Sequence, residues 1–205
     1  MSSCECDLQH ETRRVVLTGG PGAGKTALLE LVRKTFCSHV VVLPESASII
    51  FGGGFPRDEH IDCRRASQRA IYRVQRELET VGECHRAAVV MCDRGTIDGL
   101  AYWPGSAEEF FSSFGTTFRA ELARYHAVIH LRTPDGESGY NHVNPLRTES
   151  AAVAAEIDAR ILEAWAEHPR RFVVPPNVDF LQKCAEAMRI LREEVPECCR
   201  QYVSA

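Results

Sequence analysis

The stretch Arg13-Arg14-Val15-Val16-Leu17-Thr18-Gly19-Gly20-Pro21-Gly22-Ala23-Gly24-Lys25-Thr26 decides the fold. An apolar run enters a glycine-rich octapeptide, and a helical pattern leaves it with Leu28, Leu31, Val32 and Phe36 on one face. Gly19, then four residues, then Gly24-Lys25-Thr26 satisfies the phosphate-loop spacing in full. Each part has a physical job. Glycines let successive backbone N–H groups close around phosphate oxygens where side chains would obstruct them. A lysine at position 25 reaches β- and γ-phosphates, a hydroxyl at Thr26 binds Mg²⁺, and the helix that starts here points its positive end at the same anion. Gly20, Pro21, Gly22, Ala23, Gly24, Lys25, Thr26 and Ala27 are therefore expected at the nucleotide. Asn177, beyond the last strand, is counted with them.

Outward from the loop, apolar runs alternate with helical patterns. Strands are expected at Val15–Thr18, His39–Leu43, Ala87–Cys92, Ala127–Leu131 and Arg171–Val174. Helices are expected at Lys25–Phe36, Glu59–Thr80 (long and arginine-rich), Glu108–Ser113, Thr117–Tyr125, from Thr148 or Glu149 onward, and at Val178–Leu191. Val153, Ile157, Ile161 and Trp165 form one stripe, as do Leu181, Cys184, Met188 and Leu191. Phe51-Gly52-Gly53-Gly54-Phe55-Pro56 reads as a mobile loop. Strands joined by crossover helices imply a five-stranded parallel sheet with helices on both faces, the P-loop NTPase fold. The division expected is a tail at 1–12, one domain at 13–195 with a lid at about 133–150, and a tail at 196–205.

Right-handed crossovers bring every strand's C-terminal loop to one edge, where open sheets bind ligands. Asp93 ends a buried run, the arrangement that holds Mg²⁺ opposite Thr26, though it also suits a helix cap. Arg94 follows it and suits a phosphate or the transferring phosphoryl group, or a salt bridge. Glu45 closes the second strand in Pro44-Glu45-Ser46, and Asp98 follows the third; both are candidate general bases. Tyr102 and Trp103 are candidate walls for a ring-shaped substrate, and Gln68, Arg69 and Gln75 candidate head-group contacts. Thr133 to Glu149 is too long and polar for a tight connection and reads as a lid, with Gly136 and Gly139 as hinges and Arg147 reaching the γ-phosphate.

Composition narrows the classes. The chain has 205 residues, 44% of them hydrophobic, and a formal net charge of −4, so no basic field argues for nucleic acid or an anionic membrane. Lys25, Lys34 and Lys183 are its lysines, so arginine carries most anion-binding capacity. No apolar run spans a bilayer, and the polar, acidic start resembles no secretory or mitochondrial address, so a cytoplasmic setting is expected. Nine cysteines lack disulfide-scaffold spacing. Cys37, Cys63, Cys92 and Cys184 read as small core hydrophobes. Cys4-x-Cys6 and Cys198-Cys199 lack the separation of a zinc knuckle, which disfavours a metal site pairing the tails. The oligomeric state is open, a homodimer included.

GGPGAGKT, the strand-end Pro-Glu-Ser, DRGTIDGLAYW and the later GY…NPLRTES…W…HP resemble a group of small AAA-labelled P-loop proteins. That group includes the ribosylnicotinamide kinase domain of the NadR type and translocation-defect-protein-like P-loop proteins. The resemblance runs from the first strand to the last helix. It carries no second-region arginine finger or helical lid domain of the ring-forming ATPases, so its layout is closer to nucleoside and nucleotide kinases. By that likeness Glu45 matches the strand-end carboxylate, Asp93-Arg94 the Asp/Glu-Arg motif and Arg147 the lid arginine. It implies ATP- and Mg²⁺-dependent phosphoryl transfer to a small hydroxyl-bearing acceptor (nucleoside-, vitamin- or sugar-like). A regulatory ATPase acting on a protein partner is the alternative. An Asn-Lys-x-Asp guanine-reading motif is replaced after the fourth strand by His130-Leu131-Arg132-Thr133, against a GTP switch.

Overall fold

A computed structural model of the chain describes residues 10–84, 87–134, 150–176 and 179–200. Strand β1 (Arg13–Thr18) alternates its apolar residues between two cores. Val15 and Leu17 face one side, which they share with Leu28, Leu29 and Val32 of α1 (Lys25–Thr35) and with Ala187, Met188 and Leu191 of α7 (Phe180–Glu194). Val16 faces the other, with Ile161 of α6 (Ala151–Ala164) and Trp165 just past its end. Burial on both faces explains why β3 (Val89–Asp93) and β4 (Ala127–Leu131) are buried throughout.

The sheet is completed by β2 (Val40–Val42) and β5 (Arg171–Val174). All pairings are parallel in the order β2-β3-β1-β4-β5, the five-stranded sheet expected. The chain reverses its direction of progress across the sheet around β1, so a crevice opens beyond the carboxyl ends of β1, β3 and β4. The phosphate loop sits there.

Several local readings change. The glycine-rich Phe51–Pro56 stretch begins inside a helix, α2 (Ser46–Gly52), which starts directly after Glu45. The arginine-rich helix is α3 (Ile61–Cys84). Between β3 and α4 (Ala107–Ser112) lies a 3₁₀ helix, Thr96–Ala101, and α5 (Phe118–Leu122) precedes β4. The chain beyond residue 195, read as tail, carries α8 (Glu197–Arg200), with Cys199 inside the first core. Leu31 and Leu181 face solvent instead of the core, and Leu29 takes the inward place on α1. Among the described residues no helix is long and apolar enough to cross a membrane.

Candidate active site

The phosphate loop is shaped by backbone that other residues would strain. Gly19 has φ 134°, and a Cβ there would lie 2.0 Å from the Leu131 carbonyl oxygen. Gly24 caps α1 in the left-handed region with φ 95°. Lys25 is buried, its ammonium donating to the carbonyl oxygens of Gly19 (2.8 Å) and Gly20 (2.9 Å). Burial and then the Arg94 charge lower its pKa to about 8. A desolvated cation held by weak neutral acceptors gains most from an anion.

Sequence reasoning missed the loop's buttress. Asp158 of α6 is buried and accepts from Gly20 N (2.8 Å), His130 Nε2 (2.9 Å) and Arg132 Nε (2.6 Å). Burial alone would raise its pKa, but the His130 and Gly20 hydrogen bonds outweigh that and hold it at about 2. Thr133 adds a hydroxyl donated to the Pro21 carbonyl at 3.3 Å. The carboxylate thus fixes a backbone donor of the nest from behind.

Asp93 and Thr26 line the same cleft, Thr26 exposed and Asp93 buried. Among the described residues, Asp93 Oδ1 is buried and has no hydrogen-bond partner. Burial, and then the Glu45 charge, raise its pKa to about 6. A carboxylate with an unpartnered oxygen and a hydroxyl lining one cleft with the phosphate loop form the hard-oxygen donor set that suits Mg²⁺. These residues fit the ion.

Arg94 has φ 73°, a left-handed conformation that costs an L-residue about 1–2 kcal/mol. The turn aims its guanidinium back across the sheet edge. Nε donates to Glu45 Oε1 at 2.9 Å, and Nη1 to the Gly19 carbonyl at 3.1 Å and Asp98 Oδ1 at 3.3 Å. Burial works against the Glu45 charge, but Arg94, the Ser48 hydroxyl and Lys25 outweigh it and hold the carboxyl at about 2.

Asp98 is differently placed from its expected role. Its oxygens accept from the Thr18 hydroxyl, Arg94, Gly95 N (3.0 Å) and Trp165 Nε1 (3.0 Å), all in a buried setting. No lone pair remains to take a substrate proton, so the general-base expectation gives way to a positioning one.

One cleft of about 720 Å³ joins these groups. At one end are Pro21, Gly22, Lys25 and Thr26; at the other are Arg64, Gln68, Ile71, Tyr72 and Gln75 of α3; Glu45, Asp93 and Arg94 lie along it. The far end is anchored by buried carboxylates: Glu121 accepts from Tyr72 OH (2.8 Å), and Glu79 from Gln75 Nε2 (2.9 Å). Gln75 Oε1 is buried and has no partner among the described residues. Tyr102 lines the cleft, whereas Trp103 does not and packs behind its wall with Tyr72, Phe110 and Phe111. Arg69 is exposed and does not line it, and neither does Ala27. Cys37, Cys92 and Cys184 are buried as expected, while Cys63 is half-buried. Arg147, Asn177, Gly136, Gly139, Cys4 and Cys6 lie outside the described residues.

A family model described as "AAA domain" matches residues 14–183. No curated protein matches in sequence. Among solved structures, the NadR protein in complex with NR superposes with a TM-score of 0.66 at 16% identity, over 91% of this chain and 52% of that one. The chain thus spans about half the length of that protein. Deoxyadenosine kinase from M. mycoides with bound dATP gives 0.60 at 13% identity, over 87% and 98% of the two chains. Thymidylate kinase from Ehrlichia chaffeensis gives 0.61 at 13%, over 88% and 98%. Identities this low speak to fold, and the family match covers most of the chain. The protein belongs to the AAA domain family and is built on the fold of the small P-loop kinases.

Proposed function

We propose that the protein transfers the γ-phosphoryl group of Mg·ATP to a small hydroxyl-bearing acceptor of nucleoside, vitamin or sugar type. The observation that carries this is the continuous cleft from Lys25 to Gln75. A hydrolase acting on a protein partner needs room only for water beside the nucleotide, whereas a cleft of about 720 Å³ that extends to Gln68, Tyr72 and Gln75 of α3 supports an organic acceptor. Neighbours of the same fold are described with NR or dATP bound, or as thymidylate kinase, which favours a ring-bearing acceptor.

The geometry supports the following roles. The nest and Lys25 bind the phosphates. Thr26 and Asp93 would hold Mg²⁺, which when bound neutralises charge on the β- and γ-oxygens. Glu45, with a pKa of about 2, is ionised yet weakly basic. It suits accepting a hydrogen bond from the acceptor hydroxyl and orienting it, with the proton leaving late in a loose transition state. Arg94 and Asp98 hold Glu45 at that station. Gln68, Tyr72 and Gln75 offer amide and aromatic contacts to the acceptor. Arg147, from the lid segment, is assigned to the moving phosphoryl charge. A screen of nucleosides, vitamins and sugars for acceptor-dependent ADP release tests the proposal. Release unchanged by every acceptor would favour the hydrolase reading instead.

A further inference from the structure

At the sheet edge opposite the phosphate loop, where the strands begin, three distant segments bring thiols and imidazoles together. Cys37 and His39 lie in the connection between α1 and β2, Cys198 and Cys199 on α8, and His10 ahead of β1. His39 Nδ1 is 3.7 Å from Cys37 Sγ and 3.4 Å from Cys199 Sγ. Cys198 Sγ is 3.7 Å from Cys199 Sγ and 3.3 Å from His10 Nε2. The donor atoms of Cys37, His39 and Cys199 all lie within 4.8 Å of one another, as do those of His10, His39 and Cys198.

We propose that this cluster is a structural Zn²⁺ site, with Cys37, His39, Cys198 and Cys199 as ligands and His10 hydrogen-bonding Cys198 from outside. Tetrahedral zinc, with Zn–S of about 2.3 Å and Zn–N of about 2.0–2.1 Å, sets ligand-to-ligand distances of about 3.7 Å between sulfurs and about 3.5 Å from sulfur to nitrogen. The Cys37–His39, Cys199–His39 and Cys198–Cys199 separations of 3.7, 3.4 and 3.7 Å lie within about 0.2 Å of those values. Cys198 stands outside the Cys37–His39–Cys199 group, whose donor atoms are all within 4.8 Å of one another, and would turn inward to complete the tetrahedron. Thiols packed as small hydrophobes have no reason to direct two sulfurs at one imidazole nitrogen. Three sulfurs with one imidazole form a soft set that selects zinc over magnesium or calcium.

On binding, each thiol releases its proton to water as its sulfur lone pair forms the Zn–S bond, and His39 binds through a neutral nitrogen; no oxidation state changes. With Cys37 and Cys199 buried and His39 and Cys198 half-buried, the site is closed, as structural zinc sites are. It would tie α8 to the α1–β2 connection, away from the nucleotide cleft, so its failure and that of the kinase reading are separable.

The test uses the full chain, untagged or carrying a tag without histidines, produced in zinc-supplemented medium and purified without chelator. Elemental analysis should find about one zinc per chain, and Cys199→Ser should lower that about tenfold or more. Reduced apo-protein given Co²⁺ should develop a sulfur-to-cobalt charge-transfer band and intense visible bands of tetrahedral cobalt, a readout needing no variant. Chelation should lower Tm while leaving Mg·ATP binding intact. His10→Ala should retain the metal; its loss would overturn the ligand assignment. Zinc below about a tenth per chain with no cobalt–thiolate band, or zinc undiminished in Cys37→Ser and Cys199→Ser, would overturn the site.

Discussion

Replacing Asp158 by asparagine tests whether the phosphate loop is held from behind by a charge. Asp158 is ionised and buried, with a pKa of about 2 against an ordinary 3.8. A depressed carboxyl pKa stabilises the fold above the unfolded value, and that stability is lost as pH falls through the folded one. A gap of nearly two pKa units is worth about 2 kcal/mol at neutral pH, present above pH about 4 and gone below about 2. Asparagine keeps one oxygen, but its amide hydrogens then face donors on His130 or Arg132. Breaking one side of a buried pair costs about 3–5 kcal/mol at most, so about 2–4 kcal/mol is expected here. For a chain of this size that is a Tm drop of about 5–15 °C. Urea unfolding of both proteins at neutral pH and near pH about 3 isolates the charge, because other groups cancel in the difference. The variant should lose part of the wild type's acid sensitivity and bind ATP more weakly, since a neutral amide holds Gly20 N less firmly than the carboxylate does. A destabilisation under about 1 kcal/mol, with parallel pH curves, would refute the buttress.

Other residues give sharper tests of chemistry. Lys25→Ala should abolish ATP turnover; undiminished turnover removes the loop from the mechanism. Asp93→Asn should raise Tm while eliminating Mg²⁺-dependent ATP affinity, because a carboxyl whose folded pKa is raised to about 6 costs stability once ionised. In the wild type that affinity should fall by up to about tenfold per pH unit below about 6, followed by calorimetry; a flat profile counts against Asp93 as ligand. Arg94→Gly should be more stable than Arg94→Ala by about 1 kcal/mol, since glycine accepts φ 73° without strain; equal stabilities would mean the turn relaxes. Arg147→Ala should lower kcat far more than ATP affinity. A loss confined to affinity would make it a ground-state anchor.

The parts of this molecule written locally were legible in its sequence. The glycine spacing, the apolar runs and the strand-end position of Asp93 depend on neighbours within a few residues, and β4 and β5 lie where periodicity puts them. Glu45, expected to close the second strand, instead lies beyond the end of β2 at Val42 and caps α2. What depends on distant partners was not. Asp158 meets Gly20 across 138 residues of chain, and nothing beside Ile157 marks it as more than a polar helix position. Asp98 reads as a base from its place just past Asp93-Arg94. Its saturation by Thr18 and Trp165 exists only after β1 and α6 pack against the 3₁₀ helix. The left-handed Arg94 follows the same logic: Leu17 O receives its backbone N–H at 3.0 Å, a contact between strands. Motif spacing likewise missed the Cys/His cluster, whose members come from three segments.

In the proposed reaction the phosphoryl group leaves ATP for an organic hydroxyl held near Glu45 and α3. The most direct measurement follows γ-labelled ATP with a pool of nucleosides, vitamins and sugars and identifies the labelled product. Label is expected on an acceptor hydroxyl, with acceptor KM raised in Gln75→Ala and ATP KM unchanged. Label appearing solely as inorganic phosphate, at the same rate with and without the pool, would contradict it.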